Sequence, residues 1–375
     1  MKKTLSLLLA LVLALSLFAG CKANEPTPVA TPTPTIEAPI DGEPSVEVPE
    51  IEAPTSVMFT DSVGRTVEVP SNITRISPSG SLAQMFLLAI APDLLITTAS
   101  EYNATDLAFL PKNLADLPVV GQFYGADNLN FESIAAIGPE IVIDVGDPKQ
   151  TIVEDMDSIM TNLAIPSVHI TATLESSPEA FRQLGILLGR EAEGEALAAY
   201  CEKVLAQTAD IMAQVGDDKI GVLYCLGDMG LNVLAANSFH SEVLDYVTDN
   251  LAVVDEPSSR GSGNETDLEQ ISVWNPEVFL FAPRSVYDTV ATDATWKELD
   301  AVKNGKYYEV PQGPYNWMGT PPSINRYLGM VWLTKVLYPE YATYDLYEAV
   351  AEYYALFYHH TLTQAEFDAL TAKSV

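Results

Sequence analysis

Two pieces of the chain, NFESIAAIGPEIVI from Asn130 to Ile143 and DLEQISVWNPEVFL from Asp267 to Leu280, align without a gap. Each opens on a capping residue (Asn130, Asp267), followed by an apolar residue, a glutamate (Glu132, Glu269) and, two further on, an isoleucine. Each then runs into a Pro-Glu pair (Pro139-Glu140, Pro276-Glu277) and a row of strand formers. The side chain of the first residue can hold the free N–H groups of a short helix, the proline stops that helix, and the apolar run makes a buried strand. A chain that repeats cap, acid, proline and strand at one offset is predicted to fold as two related α/β units.

Between the copies lies EAEGEALAAYCEKVLAQTADIMAQV, from Glu191 to Val215, with Leu197, Tyr200, Val204, Leu205, Ile211 and Met212 at helical spacing. It has no proline and a single glycine, Gly194. A helix over 191–215 is a rod on the order of 35 Å long, enough to reach from one lobe to the other while opposing wide hinge closure. The fold class expected is therefore α/β, with two Rossmann-like lobes (56–190 and 216–375), mainly parallel sheets and one long rigid bridging helix (191–215). Strand-like TRISPS, helical SLAQMFLLAI and strand-like NLAIPSVHI alternate within the first lobe, as parallel sheets require. Ligands of such sheets sit off the carboxyl ends of the strands.

The chain begins MKKTLSLLLALVLALSLFAGC. A basic head, a short apolar run and small residues before the break describe a secretory signal over 1–21 rather than a spanning helix. Cys21 directly after Ala19-Gly20 resembles the bacterial lipoprotein box, in which that cysteine is lipidated. Residues 22–55 are rich in Pro, Thr and Glu and nearly free of aromatics, the composition of an extended solvated spacer. An anchor and a spacer place the folded part on the outer face of the cell membrane. The formal net charge of −32 argues against nucleic acid and against adhesion to anionic lipid. Besides Cys21 there are only Cys201 and Cys225, which could form one bridge or remain two buried thiols.

These features together resemble the substrate-binding proteins of ABC importers for ferric siderophores, haem and cobalamin, whose two lobes are joined by one long helix. The resemblance runs from about residue 56 to 372. It is carried by Thr60-Asp61-Ser62-Val63-Gly64-Arg65-Thr66-Val67-Glu68-Val69-Pro70 with Arg75-Ile76-Ser77-Pro78-Ser79, and by Gly121 with Asn128-Leu129-Asn130-Phe131-Glu132. Further on it includes Leu188-Gly189-Arg190-Glu191, Trp296-Lys297-Glu298-Leu299 and Asn304-Gly305-Lys306-Tyr307-Tyr308. The resemblance implies a monomer that performs no chemistry, holds no resident cofactor or metal, and delivers its ligand to a permease dimer driven by an ATPase. It also implies that Glu132 and Glu269, one on each lobe, meet arginines of the two permease copies through charge-assisted bonds.

The cleft is expected at loops that leave the strands. In the first lobe these offer Ser79, Ser81, Tyr102, Phe123 and Tyr124; in the second they offer Met229, His240, Arg284 and Tyr287. The stretch GPYNWMGTPPSINRYLG, Gly313 to Gly329, adds Tyr315, Asn316, Trp317 and Arg326. Aromatic faces beside guanidinium groups suit a large, partly planar anionic ligand such as a metal chelate, corrinoid or porphyrin. Four scattered histidines make a poor site for a bare transition metal, so a metal would arrive within its own chelator. Two other readings stay open. A small oxyanion such as molybdate or tungstate would need backbone donors, serines and an arginine rather than aromatic walls. A lipid-anchored hydrolase could use the Ser77-Pro78-Ser79-Gly80-Ser81 loop, but no Gly-x-Ser-x-Gly elbow or neighbouring histidine accompanies it.

Overall fold

The computed structural model describes residues 55–375. The signal segment, Cys21 and all but the last residue of the spacer lie outside the described residues.

An antiparallel hairpin, Ser56–Thr60 with Thr66–Pro70, leads in. Its turn is closed by Asp61, which accepts from the Arg65 backbone N–H at 2.9 Å and pairs with the Arg65 guanidinium at 2.9 Å. The first sheet is built on three parallel strands, Ile76–Pro78, Ile141–Gly146 and Ser167–Thr171, with Ile141–Gly146 in the middle. Parallel bridges from Ile76 to Leu95 and from Thr98 to Val119 widen it. Every residue of the central strand is buried, which is why its sequence, IVIDVG, is apolar at every position but Asp144 rather than alternating.

The second sheet has the order Tyr307–Glu309, Val278–Phe281, Gly221–Leu226, Asn232–Val233, Asn264–Glu265. Its first three strands are parallel, Asp249–Asn250 adds a parallel partner beside Gly221–Leu226, and the two outer pieces are antiparallel. Both sheets are thus of the mainly parallel α/β kind.

The sequence repeat is a structural repeat. Asn130 accepts from the Ser133 backbone N–H at 2.9 Å to start the helix Phe131–Ile137, and Asp267 accepts from Gln270 at 2.8 Å to start Leu268–Trp274. Both helices end on a left-handed residue, Gly138 (φ +68°) and Asn275 (φ +44°), before the proline and the strand. The glutamate after each proline does the same task. Glu140 accepts from the backbone N–H groups of Thr74 and Arg75, and Glu277 from that of Gly221, so each pins the start of the neighbouring parallel strand. Glu132 and Glu269 stand exposed in the first turns, where the helix dipole favours an acid by a few tenths of a kcal/mol, about 0.3–1.

The helix between the sheets runs Glu191–Val215 and packs against Ser177–Leu188 and Asn325–Leu337. Gly194 makes the first contact close, since a Cβ there would lie 2.6 Å from the Phe181 carbonyl oxygen. One apolar core continues through this helix from Val168 and Ile170 in the first sheet to Val222 and Tyr224 in the second. The helix Leu346–Phe357, last but one in the chain, returns to pack on Ser81–Ile90, and His359 Nε2 lies 3.1 and 3.0 Å from the carbonyl oxygens of Leu88 and Ala89 at the end of Ser81–Ile90. Cys201 and Cys225 are free, buried thiols, and burial pushes both pKa values up. No helix among the described residues is long and apolar enough to cross a membrane.

Candidate functional site

A cavity of about 640 Å³ lies where loops from the two sheets meet. On the first side, the strand Ile76–Pro78 ends at Ser79 and Gly80, and the helix Ser81–Ile90 begins at once. Gly80 has no side chain to cap that helix, and a Cβ at Gly80 would come 3.3 Å from Gln122 Cβ. The N–H groups that an α-helix leaves unpaired in its first turn therefore remain available at Ser81, Leu82 and Ala83, all of which line the cavity. Such a helix start attracts anions through its N–H groups and its dipole.

The central strand Ile141–Gly146 delivers Asp144, Asp147 and Lys149 to the same wall. Asp144 is buried and fully engaged: Ser79 Oγ donates to its Oδ1, and His169 Nδ1 lies 2.6 Å from its Oδ2. Tyr124 also lines the wall, with its hydroxyl donating to Asp155 at 2.7 Å. Burial and the two nearby acids, Asp144 and Asp155, raise the Tyr124 pKa, so it stays a neutral phenol.

The opposite wall comes from Phe239, His240, Ser259, Arg260 and Gly261, with Thr320, Pro321 and Pro322 closing one side. Lys149 Nζ stands 5.7 Å from the centre of the Phe239 ring, a cation–π contact that spans the two sides. His240 rests against Gly261, where a Cβ would lie 3.2 Å from its Cε1. Burial lowers the His240 pKa, so the imidazole is neutral at neutral pH. The exposed Lys149 and Arg260 have no ion pair among the described residues, leaving both cations free to meet an anion.

Residues 102–314 match the periplasmic binding protein family, over more than half of the chain. The chain belongs to the periplasmic binding protein family. It is the solute-binding component of an ABC transporter and acts outside the cytoplasm. Relatives and solved structures agree with this at the level of family and fold. The molybdate-binding protein MolA of Haemophilus influenzae is 22% identical over 80% of this chain and 90% of its own length. The Fe(3+)-citrate-binding protein YfmC of Bacillus subtilis is 24% identical over 48% of this chain and 56% of its own. An ABC transporter solute binding protein from Sulfurospirillum deleyianum superposes with a TM-score of 0.77 at 29% identity, covering 84% of this chain and 99% of that one.

In this periplasmic binding protein, Ser79, Ser81, Tyr124 and His240 of the expected ligand residues line the cavity. Phe123 stands behind it, edge-on to Tyr124 with ring centres 5.0 Å apart. The GPYNWMGTPPSINRYLG stretch turns mostly inward. Trp317 is fully buried, and Asn316 is buried with its amide donating to Tyr224 at 3.2 Å. Tyr315 shares a 2.8 Å hydrogen bond with Tyr102, whose pKa burial pushes up to about 12. Arg326 is buried and paired with Glu242. Only Thr320-Pro321-Pro322 of that stretch reaches the cavity. Met229 and Arg284 are exposed elsewhere, Arg284 with φ +66°. Tyr287 packs on Tyr307 beneath Lys373.

Sequence reasoning missed Lys149, Arg260, Asp144 and Asp147. A signal for the first two existed: Lys and Arg number only 19 against 51 acids, and Lys149 and Arg260 each sit in a Gly-containing loop beyond an apolar segment. The link from Asp144 to His169 joins two adjacent strands, and no local pattern announces it.

Proposed function

We propose that this binding protein captures an anionic metal complex, a ferric siderophore or ferric carboxylate before haem or cobalamin, and releases it into a permease. The observation that carries the reading is the uncapped start of helix Ser81–Ile90 sharing with Lys149 and Arg260 a cavity of about 640 Å³. That volume falls in the range of small-molecule sites, about 300–1,000 Å³, and exceeds the need of one tetrahedral oxyanion. Besides the His240 imidazole the walls carry two aromatic rings, Tyr124 and Phe239, fewer than a macrocycle would stack against. An oxygen-rich chelate therefore suits the donors better than a porphyrin. Glu132 and Glu269 would dock the two permease copies, and lipidation at Cys21 would hold the protein at the membrane.

A second reading, molybdate or tungstate, is favoured by the same backbone and serine donors and by the similarity to MolA. Calorimetric titration with ferric citrate, a ferric hydroxamate, haem, cobalamin, molybdate and tungstate decides between them. Saturable binding of a ferric chelate, weakened about tenfold or more in Lys149→Ala and Arg260→Ala, is the expected result. Binding of molybdate or tungstate with no response to any chelate would replace the first reading by the second.

A further inference from the structure

We infer that the cleft has an acceptor pole as well as a donor pole and selects an amphoteric ligand, with Asp147 as the residue that sets this specificity. The inference rests on the reading of the cavity as a site for an oxygen-rich anion. The donor pole is the helix start with Lys149 and Arg260. The acceptor pole follows from hydrogen-bond accounting. Ser79 Oγ spends its only hydrogen on Asp144, so towards the cavity it offers lone pairs alone. Asp144 itself is satisfied by Ser79 and His169 and adds negative charge to the floor. Asp147 lines the same wall, is exposed, and has no hydrogen-bond or ion-pair partner among the described residues. Burial is the main cause of the raised pKa of Glu242 on the other side, and Asp147 adds to it.

Two carboxylates, Asp144 and Asp147, thus balance the two cations, Lys149 and Arg260, around one cavity. A fully deprotonated tetrahedral oxyanion can satisfy the donors but must set bare oxygens against a surface that only accepts. A ligand that carries acceptor oxygens together with a hydroxyl, amine or metal-bound water satisfies both sets of groups, leaving no buried group unpaired. Discrimination of this kind comes from the repulsive element as much as from the attractive one.

The test compares ferric citrate, which carries donor groups, with molybdate at pH 8, which carries none, on the full chain and on Asp147→Asn. The substitution keeps the shape, removes the charge and affects a side chain with no partner, so an unchanged melting temperature confirms an intact fold. The expected result is a loss of about tenfold in ferric citrate affinity, the scale of one hydrogen bond to a charged acceptor. Molybdate binding tightens by about fivefold as the repulsion disappears. Equal changes for both probes, or no change in ferric citrate binding, overturn the acceptor role and leave the anion site standing. Failure of both probes to bind the wild-type protein overturns the anion site and the inference with it.

Discussion

Replacing Trp317 separates a structural role from a ligand-contacting one. Its side chain is fully buried in the core that also holds Tyr327, Met330 and Tyr354, and it does not line the cavity. Its loop is pressed onto the helix Asn325–Leu337, because a Cβ at Gly329 would lie 2.4 Å from the Trp317 carbonyl oxygen. A site clamped in this way collapses poorly, so Trp317→Ala belongs towards the upper end of the usual cost of about 3–5 kcal/mol. At about 2–4 °C per kcal/mol for a domain of 150–250 residues, the melting temperature should fall by roughly 10 °C. Thr320 to Pro322, three residues on, do form part of the wall, so a small effect on binding is allowed. The dissociation constant measured by calorimetry well below the transition should stay within about fivefold, or about 1 kcal/mol. A variant that melts like the wild type but no longer binds any ligand would refute the reasoning and return Trp317 to the ligand.

Gly194→Ala should destabilise although it replaces glycine inside a helix: the usual gain of about 1 kcal/mol is outweighed by the clash with the Phe181 carbonyl, for a net loss of about 1–2 kcal/mol in urea unfolding. Glu242 gives a pH signature. Burial raises its pKa, and Arg326 opposes that rise, so its contribution to stability is full below the ordinary carboxylate value of about 4.3 and falls as pH rises through the raised value. Arg326→Ala removes the opposing charge, so its stability deficit should be small near pH 4. The deficit should grow towards pH 7 to about 1–2 kcal/mol after discounting for solvent at the half-exposed Glu242, and a deficit independent of pH would refute this. Glu132→Ala and Glu269→Ala should leave ligand affinity and melting temperature unchanged while lowering uptake in cells, the double variant more than either single one.

The features legible in the sequence were those written locally. The cap at Asn130, the stop at Pro139 and the apolar run after Glu140 each act within a few residues, and their recurrence at Asp267, Pro276 and Glu277 revealed two related units. The helix over 191–215 was legible for the same reason, through an uninterrupted period of apolar residues. Of the cleft, Ser79, Ser81, Tyr124 and His240 could be named because strand ends in a parallel sheet point to one place. What failed was the assumption that an aromatic or charged residue in a loop faces a ligand. Trp317, Tyr315, Asn316 and Arg326 follow a strand, yet each has a partner inside the protein: the core, Tyr102, Tyr224 and Glu242. Those partners are far away in sequence, so only tertiary packing shows that the groups are already satisfied. Lys149 and Arg260 were overlooked for the converse reason, being isolated cations whose significance is that no acid among the described residues pairs with them.

The same distribution of partners bears on how a ligand enters. Buried ties join the two halves behind the cleft: the continuous core through Glu191–Val215, the Tyr102–Tyr315 hydrogen bond, and the Tyr327 hydroxyl donating to the Leu174 carbonyl. Opening there would expose large apolar side chains, at about 25 cal/mol for every Å² uncovered. At the rim the tie is different in kind. Lys149 over Phe239 joins two accessible side chains, and a contact of that sort costs only about 0.5–1 kcal/mol to break. Access by rotation of Lys149 and Phe239 is therefore cheaper than access by separation of the lobes, and a ligand that pairs with Lys149 draws the cation from the ring as it enters. The long helix Glu191–Val215 then holds the two lobes at a fixed spacing while the rim alone responds to ligand.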